Sequence, residues 1–301
     1  MCKILGFSDF SKIKKKLEVT EYIGELLLNS ERDGFGYAIW DKNKSAFFGE
    51  RTNESTFSSS LRESSGVNFD FCDVKPSSQN VFGEIDFSNV GPAIFHGRHS
   101  TNQKTLVNTH PIVKHGMALI HNGVVTDHGP KYETITTNDS EHVLERYKDS
   151  SFEEHLTGYY AFMSIDSEGI LHVCRDKTAS LYSSWIDSLN TYIFSTTEEN
   201  ITKVCKALGV IASKPKKLKD DILFTMQDNK ILTSRSIHSR GWGYTESRHA
   251  QTSLGHSLDD RWNRGSSPSE SGKKVDIGPR RKDESYQEWW DRNYTFGNWP
   301  E

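Results

Sequence analysis

The chain has 301 residues, with 37 Lys and Arg against 41 Asp and Glu, a formal net charge of -4. That balance argues against nucleic acid as a main partner, and the single basic block, Lys14-Lys15-Lys16, reads as the solvent face of a helix. No apolar run approaches the roughly 18 residues of a membrane span and no leader-like stretch precedes the first strand, so a cytoplasmic chain with no membrane partner is expected.

Directly after Met1 comes Cys2, followed by a strand-like run, Lys3-Ile4-Leu5-Gly6-Phe7. Residues 12–29 place Ile13, Leu17, Ile23, Leu26 and Leu27 at helical spacing. Residues 35–40 alternate as a strand and run into a turn at Asp41-Lys42-Asn43. Residues 55–80 are rich in Ser and Asn with little periodicity, which predicts a long surface insertion. Further strands are predicted at 46–49, 92–97, 117–121, 159–165, 170–174, 191–195, 222–226 and 231–234. Helices are predicted at 140–148 and 199–208. Many short strands with few helices suggest sheet packed on sheet with helices outside.

The composition changes near residue 240. Ser, Gly, Arg, Asp and His dominate residues 241–301, and Ser266-Ser267-Pro268-Ser269-Glu270-Ser271-Gly272 reads as linker. Five of the seven tryptophans lie here: Trp242, Trp262, Trp289, Trp290 and Trp299. A tail without aliphatic periodicity cannot build a core of its own. The expected organisation is one domain over residues 2–240 and a polar, Trp-rich tail over 241–301 that is partly disordered or docks on something.

Cys2 is the residue with the most chemistry. Removal of Met1 would leave a cysteine carrying a thiol and a free α-amine, with reference pKa values of about 8.5 and about 7.7–8.0. A nucleophile and its base then share one residue. Cys72, Cys174 and Cys205 have neither CxxC spacing nor His partners, so they read as inert thiols of a reducing compartment, with no metal site and no cofactor implied.

Four segments supply what attack on an amide requires. They are Arg32-Asp33-Gly34-Phe35-Gly36, His96-Gly97-Arg98-His99-Ser100-Thr101, Asn108-Thr109-His110-Pro111 and His121-Asn122-Gly123. The last is placed by the pattern at a strand end. Asn138-Asp139-Ser140-Glu141 follows, where Asn or Asp can cap a helix. A tetrahedral oxyanion wants two donors, which Asn122 and the Gly123 amide can provide. Arg98 can clamp a carboxylate, and Asp139 can pair with an ammonium. His110 reads as a structural residue of its turn.

Together these segments resemble the glutaminase domain of class II glutamine amidotransferases, a branch of the N-terminal-nucleophile hydrolases, of the stand-alone bacterial or phage type. Cys2, Asp33-Gly34-Phe35-Gly36, Arg98-His99-Ser100-Thr101, Asn108-Thr109-His110-Pro111, His121-Asn122-Gly123 and Asn138-Asp139-Ser140-Glu141 match that family's motifs in order. Gly158-Tyr159-Tyr160-Ala161-Phe162, Arg175-Asp176 and Ser195-Thr196-Thr197-Glu198 resemble its later strands and turns. The likeness runs from about residue 2 to residue 235, and the order and spacing of the motifs make it specific. It implies an α+β fold, a four-layer αββα sandwich of two antiparallel sheets between helices. It also implies Cys2 as nucleophile, Asn122 and Gly123 as the oxyanion hole, and Arg98 with Thr101 on the substrate carboxylate. Asp139 would hold the substrate ammonium, with His121 beside it and supporting the strand. The substrate would be glutamine, passing through a γ-glutamyl thioester.

Two features differ from the family pattern. His99 stands where many relatives carry Trp or another large residue. Residues 241–301 are too few for a domain that would use the ammonia. Three functions therefore remain open at this point. The first is a glutaminase supplying ammonia to a separate acceptor enzyme, a synthetase or ligase docked through the tail. The second is a stand-alone amidohydrolase acting on a γ-glutamyl or other small amide. The third is an inactive binding or assembly module.

Overall fold

The computed structural model describes residues 2–30, 33–52, 89–99 and 106–237. The expected insertion at 55–80, Cys72, Thr101 and the tail 241–301 lie outside the described residues.

Two sheets form the centre. The first holds β1 (Lys3–Phe7), β2 (Phe35–Asp41), β3 (Ala46–Thr52) and β4 (Val90–Gly97), together with three later strands numbered here in chain order: β9 (Tyr182–Ile186), β10 (Thr191–Ser195) and β11 (Lys216–Lys217). The second holds β5 (Ile112–Lys114), β6 (Met117–Asp127), β7 (Leu156–Ile165), β8 (Leu171–Arg175), β12 (Ile222–Gln227) and β13 (Lys230–Ser236). The orders are β11-β9-β10-β1-β4-β2-β3 and β13-β12-β8-β7-β6-β5. All paired strands run antiparallel. Among the described residues four α-helices cover the outside: α1 (Lys16–Ser30), α2 (Ser140–Lys148), α3 (Phe152–His155) and α4 (Glu198–Leu208).

The period-2 alternation of the strands divides the apolar residues between faces. Ile4, Ala38, Ile94, Ile120, Met163 and Phe194 meet between the sheets. Leu5, Phe7, Tyr37, Phe95 and Ile193 turn the other way, onto Ile23 and Leu27 of α1 and Ile201 and Val204 of α4. Leu119, Tyr160 and Phe162 face Val143 and Leu144 of α2 and Phe152 of α3. The result is a four-layer αββα sandwich. A buried Phe or Leu stabilises it by about 1.5–3 kcal/mol relative to exposure, so three such cores leave no face of either sheet to solvent alone.

β1 lies inside the first sheet, between β10 and β4. Its start is held tightly. The Ile4 amide donates to Thr196 Oγ1 at 3.3 Å, and the Ile4 carbonyl accepts from Ser195 Oγ at 2.9 Å and from the Thr196 amide at 3.2 Å. The register sets Lys3 opposite Gly97, so Cys2 comes level with Arg98 at the end of β4. α1 seats on that end: a Cβ at Gly97 would stand 2.9 Å from Leu27 Cβ and 3.0 Å from the Leu27 carbonyl oxygen.

Several elements depart from the sequence expectation. β6 runs on to Asp127, because Val124-Val125-Thr126 are strong strand formers and β7 pairs with the whole length. His121-Asn122-Gly123 therefore sits within a strand rather than at its end. α1 begins at Lys16 and not at residue 12, after Lys15 adopts a left-handed φ of 52°. β5, β9, β11 and α3 were not anticipated. No helix among the described residues is long and apolar enough to cross a membrane.

Candidate active site

Cys2 is half-buried just ahead of β1. Its Sγ accepts the His99 amide at 3.3 Å and donates to the His99 carbonyl at 3.4 Å. The His99 side chain itself is exposed.

Arg98 is buried, and its backbone is fixed on both sides: its amide donates to the Gly34 carbonyl at 2.7 Å, and its carbonyl accepts the Asp33 amide at 3.1 Å. The guanidinium reaches Thr109 Oγ1 at 3.5 Å. Burial lowers its pKa from the ordinary value, while negative charge on Cys2 and Asp33 works in the other direction. The Asp33-Gly34 turn thus acts as a bracket for Arg98.

Asn122 and Gly123 come from β6. Asn122 is buried. Gly123 takes φ +156°, and a Cβ there would lie 2.1 Å from the Tyr159 carbonyl oxygen and 2.7 Å from His121 Nε2, so only glycine fits. Asp139 is half-buried at the start of α2 and makes no side-chain cap bond. Its Oδ2 instead accepts the Val125 amide of β6 at 2.8 Å. The cap contact is taken by Asn138, whose Oδ1 accepts the Ser140 amide at 3.0 Å.

One cleft is lined by Cys2, Arg98, Asn122, Gly123 and Asp139 together, with His121 in its wall. These are six of the seven residues singled out from the sequence, and Thr101 lies outside the described residues. In the wall of the same cleft the Ser140 hydroxyl gathers a polar group whose arrangement the sequence did not show. Ser140 Oγ meets His110 Nε2 at 2.7 Å, His121 Nδ1 at 2.9 Å and Asn138 Oδ1 at 2.8 Å. His96 Nε2 donates to the His121 carbonyl at 3.1 Å, and the His96 and His110 rings lie 4.0 Å apart between centroids. Burial drives all three histidines below their ordinary pKa, His96 to about 3, against the pull of Asp139 and Asp176 at His121. They are neutral at pH 7.

The loop into α2 is fastened by Glu141. Its carboxylate accepts the amides of Ile135 and Thr136, the Thr136 hydroxyl and Lys114 Nζ. Burial opposes its ionisation, but those donors outweigh it and hold its pKa below the usual carboxylate range. Cys174 and Cys205 are buried, their thiols pushed up, Cys205 to about 11, so neither is an activated thiol.

No family model and no curated protein matches the chain. Among solved structures it is similar to the allosteric regulatory enzyme of purine biosynthesis, with TM-score 0.52 and 17% identity, covering 79% of this chain and 49% of that one. It is also similar to the glutamine phosphoribosylpyrophosphate amidotransferase of B. subtilis complexed with ADP and GMP (TM-score 0.49, 18% identity, covering 79% and 49%). A third is a predicted glutamine amidotransferase from Pseudomonas aeruginosa PA01 (TM-score 0.40, 14% identity, covering 77% and 96%). The chain spans about half the length of the first two. The first likeness shows the fold, an αββα sandwich of two antiparallel sheets between helices.

Proposed function

We propose that the chain is a glutaminase of the class II amidotransferase kind, releasing ammonia from glutamine for a separate acceptor enzyme. The observation that carries this reading is the meeting of Cys2, Arg98, Asn122, Gly123 and Asp139 on one cleft from four separate stretches of sequence. Cys2 Sγ attacks the side-chain amide carbon while the α-amine of the same residue takes the thiol proton. The oxyanion is received by the Asn122 side chain and the Gly123 amide. The ammonium formed at the α-amine protonates the departing nitrogen, so ammonia leaves and a γ-glutamyl thioester remains. Water then hydrolyses the thioester to glutamate and regenerates the thiol. Arg98 clamps the α-carboxylate. Asp139, with Oδ2 committed to Val125, offers Oδ1 to the α-ammonium.

The neutral, buried state of the histidines supports the assignment of the base to the α-amine, since a histidine held far below its ordinary pKa is a poor proton acceptor at pH 7. In this reading residues 2–240 form the glutaminase domain of a cytoplasmic enzyme. The Trp-rich tail 241–301 recruits the acceptor, because ammonia released into water is protonated and lost.

The test is chemical. A glutamine-like diazoketone should label Cys2 alone, and Cys2→Ala should abolish glutamine hydrolysis while the protein stays folded. Mass spectrometry of active protein should show Met1 removed. Labelling of Cys72, Cys174 or Cys205, or full activity with Met1 retained, would overturn the reading.

A further inference from the structure

The hydroxyl of Ser140 has one proton and two lone pairs, and the structure gives it three partners. Which partner receives the proton can be deduced. Asn138 Nδ2 donates to the Asn108 carbonyl at 2.9 Å, so the other oxygen-bearing end of that amide, Oδ1, is purely an acceptor. Asn138 Oδ1 takes the Ser140 amide and, at 2.8 Å, the Ser140 hydroxyl. The hydroxyl proton is thereby spent, and both remaining contacts of Oγ must be received from N–H groups. His110 is therefore protonated on Nε2 and His121 on Nδ1. A neutral imidazole carries one N–H, so His121 Nε2 is left as a bare lone pair. That nitrogen has no hydrogen-bond partner among the described residues and stands next to Gly123.

The same hydroxyl joins three segments that are far apart in sequence. His110 belongs to the turn after Asn108, His121 precedes Asn122 on β6, and Ser140 follows Asp139 on α2. Asn108 closes the ring by accepting the Thr137 amide at 3.0 Å and donating to Thr137 Oγ1 at 2.8 Å. We propose that Ser140 is a positioning residue. It fixes the tautomers of His110 and His121 and through them holds the strand bearing the oxyanion donors in register with the helix bearing the ammonium-binding carboxylate. The tautomer assignment stands on geometry alone; the kinetic consequence rests on the glutaminase reading.

The two parts are tested separately on the full chain. Long-range 1H–15N spectra of histidine-labelled protein should show His121 protonated at Nδ1 and His110 at Nε2. Ser140→Ala should disturb both patterns, and Ser140→Thr, which keeps a hydroxyl, should restore them. With glutamine as substrate, Ser140→Ala should lower kcat by about 10- to 100-fold, the scale of a misplaced catalytic group. It should also raise KM, because Asp139 hangs from the same hydroxyl. Ser140→Thr should recover most of both. A role in stability alone would lower Tm and leave kcat and KM of the folded protein unchanged, which would overturn the proposal. Wild-type spectra with His121 protonated at Nε2 would overturn it even if Ser140→Ala fails to fold. Correct tautomers in a wild-type protein that leaves glutamine untouched would sustain the positioning of the two elements and instead sink the glutaminase reading.

Discussion

At Gly123 the backbone takes φ +156°, and a methyl would lie 2.1 Å from the Tyr159 carbonyl oxygen, well inside any tolerable contact. Gly123→Ala should therefore destabilise the fold by at least about 3 kcal/mol, read from the shift in urea midpoint, because conformational strain and a backbone clash add. Its neighbour separates more cleanly. Asn122→Ala should lower kcat for glutamine by about 10²–10³ with little change in KM, as for loss of one oxyanion donor. In the proposed glutaminase reading Arg98→Lys and Asp139→Asn alter groups that meet the substrate away from its reacting carbon, and should mainly raise KM. An unchanged KM in Arg98→Lys would show that the substrate carries no carboxylate at that position. These residues could be picked out of the sequence because the proposed roles belong to residue types: a fork suited to a carboxylate, an amide suited to an oxyanion. Ser140 could not. Its worth depends on partners at 110, 121 and 138 that only the folded chain assembles.

Where β4, β6 and α2 meet, the fold buries His96, His110 and His121 uncharged. In the unfolded chain each takes up a proton near pH 6.5; in the folded protein each does so lower, His96 near 3. Below about pH 6.5 the unfolded state thus binds more protons, and stability falls as pH drops through that value. Each histidine adds up to about 1.4 kcal/mol per pH unit to the slope. Glu141 adds a second loss further down, since its lowered pKa stabilises the fold above its unfolded value of about 4.5 and that stabilisation fades as pH falls through the folded one. Urea midpoints should drop steeply between pH 7 and pH 5, and His110→Gln should flatten the slope; a pH-independent midpoint would mean the histidines are not buried neutral. Strands with clean alternation, such as β2 and β7, were visible in the sequence. β9 was not, because Tyr182-Ser183-Ser184-Trp185-Ile186 hides two buried serines that read as loop; Ser184 and Trp185 are tied to Ser213, outside the strand. β5 has three residues and β11 two, too short for any period to register.

The described chain closes on itself near Ile237, whose amide donates to the Asp221 carbonyl at 2.8 Å. A protein ending at residue 240 should therefore fold with an unchanged Tm and hydrolyse glutamine at nearly the full rate; if it unfolds, the tail belongs to the domain. The two-sheet architecture was legible because alternation fixes which residues share a face, whereas the order of strands was not, since no local signal says that the first strand pairs with the tenth. That pairing has a consequence in time. β1 sits between β4, at residues 90–97, and β10, at residues 191–195. At about 5–20 residues per second, a ribosome needs on the order of 10–40 s to pass from β1 to the end of β10. Throughout that interval β1 belongs to a growing chain in which its slot does not yet exist. Once β10 arrives, the slot closes from both sides and Ile4 is clasped by Ser195 and Thr196. The order of synthesis thus leaves the stretch that carries Cys2 accessible first and encloses it only when β10 is made.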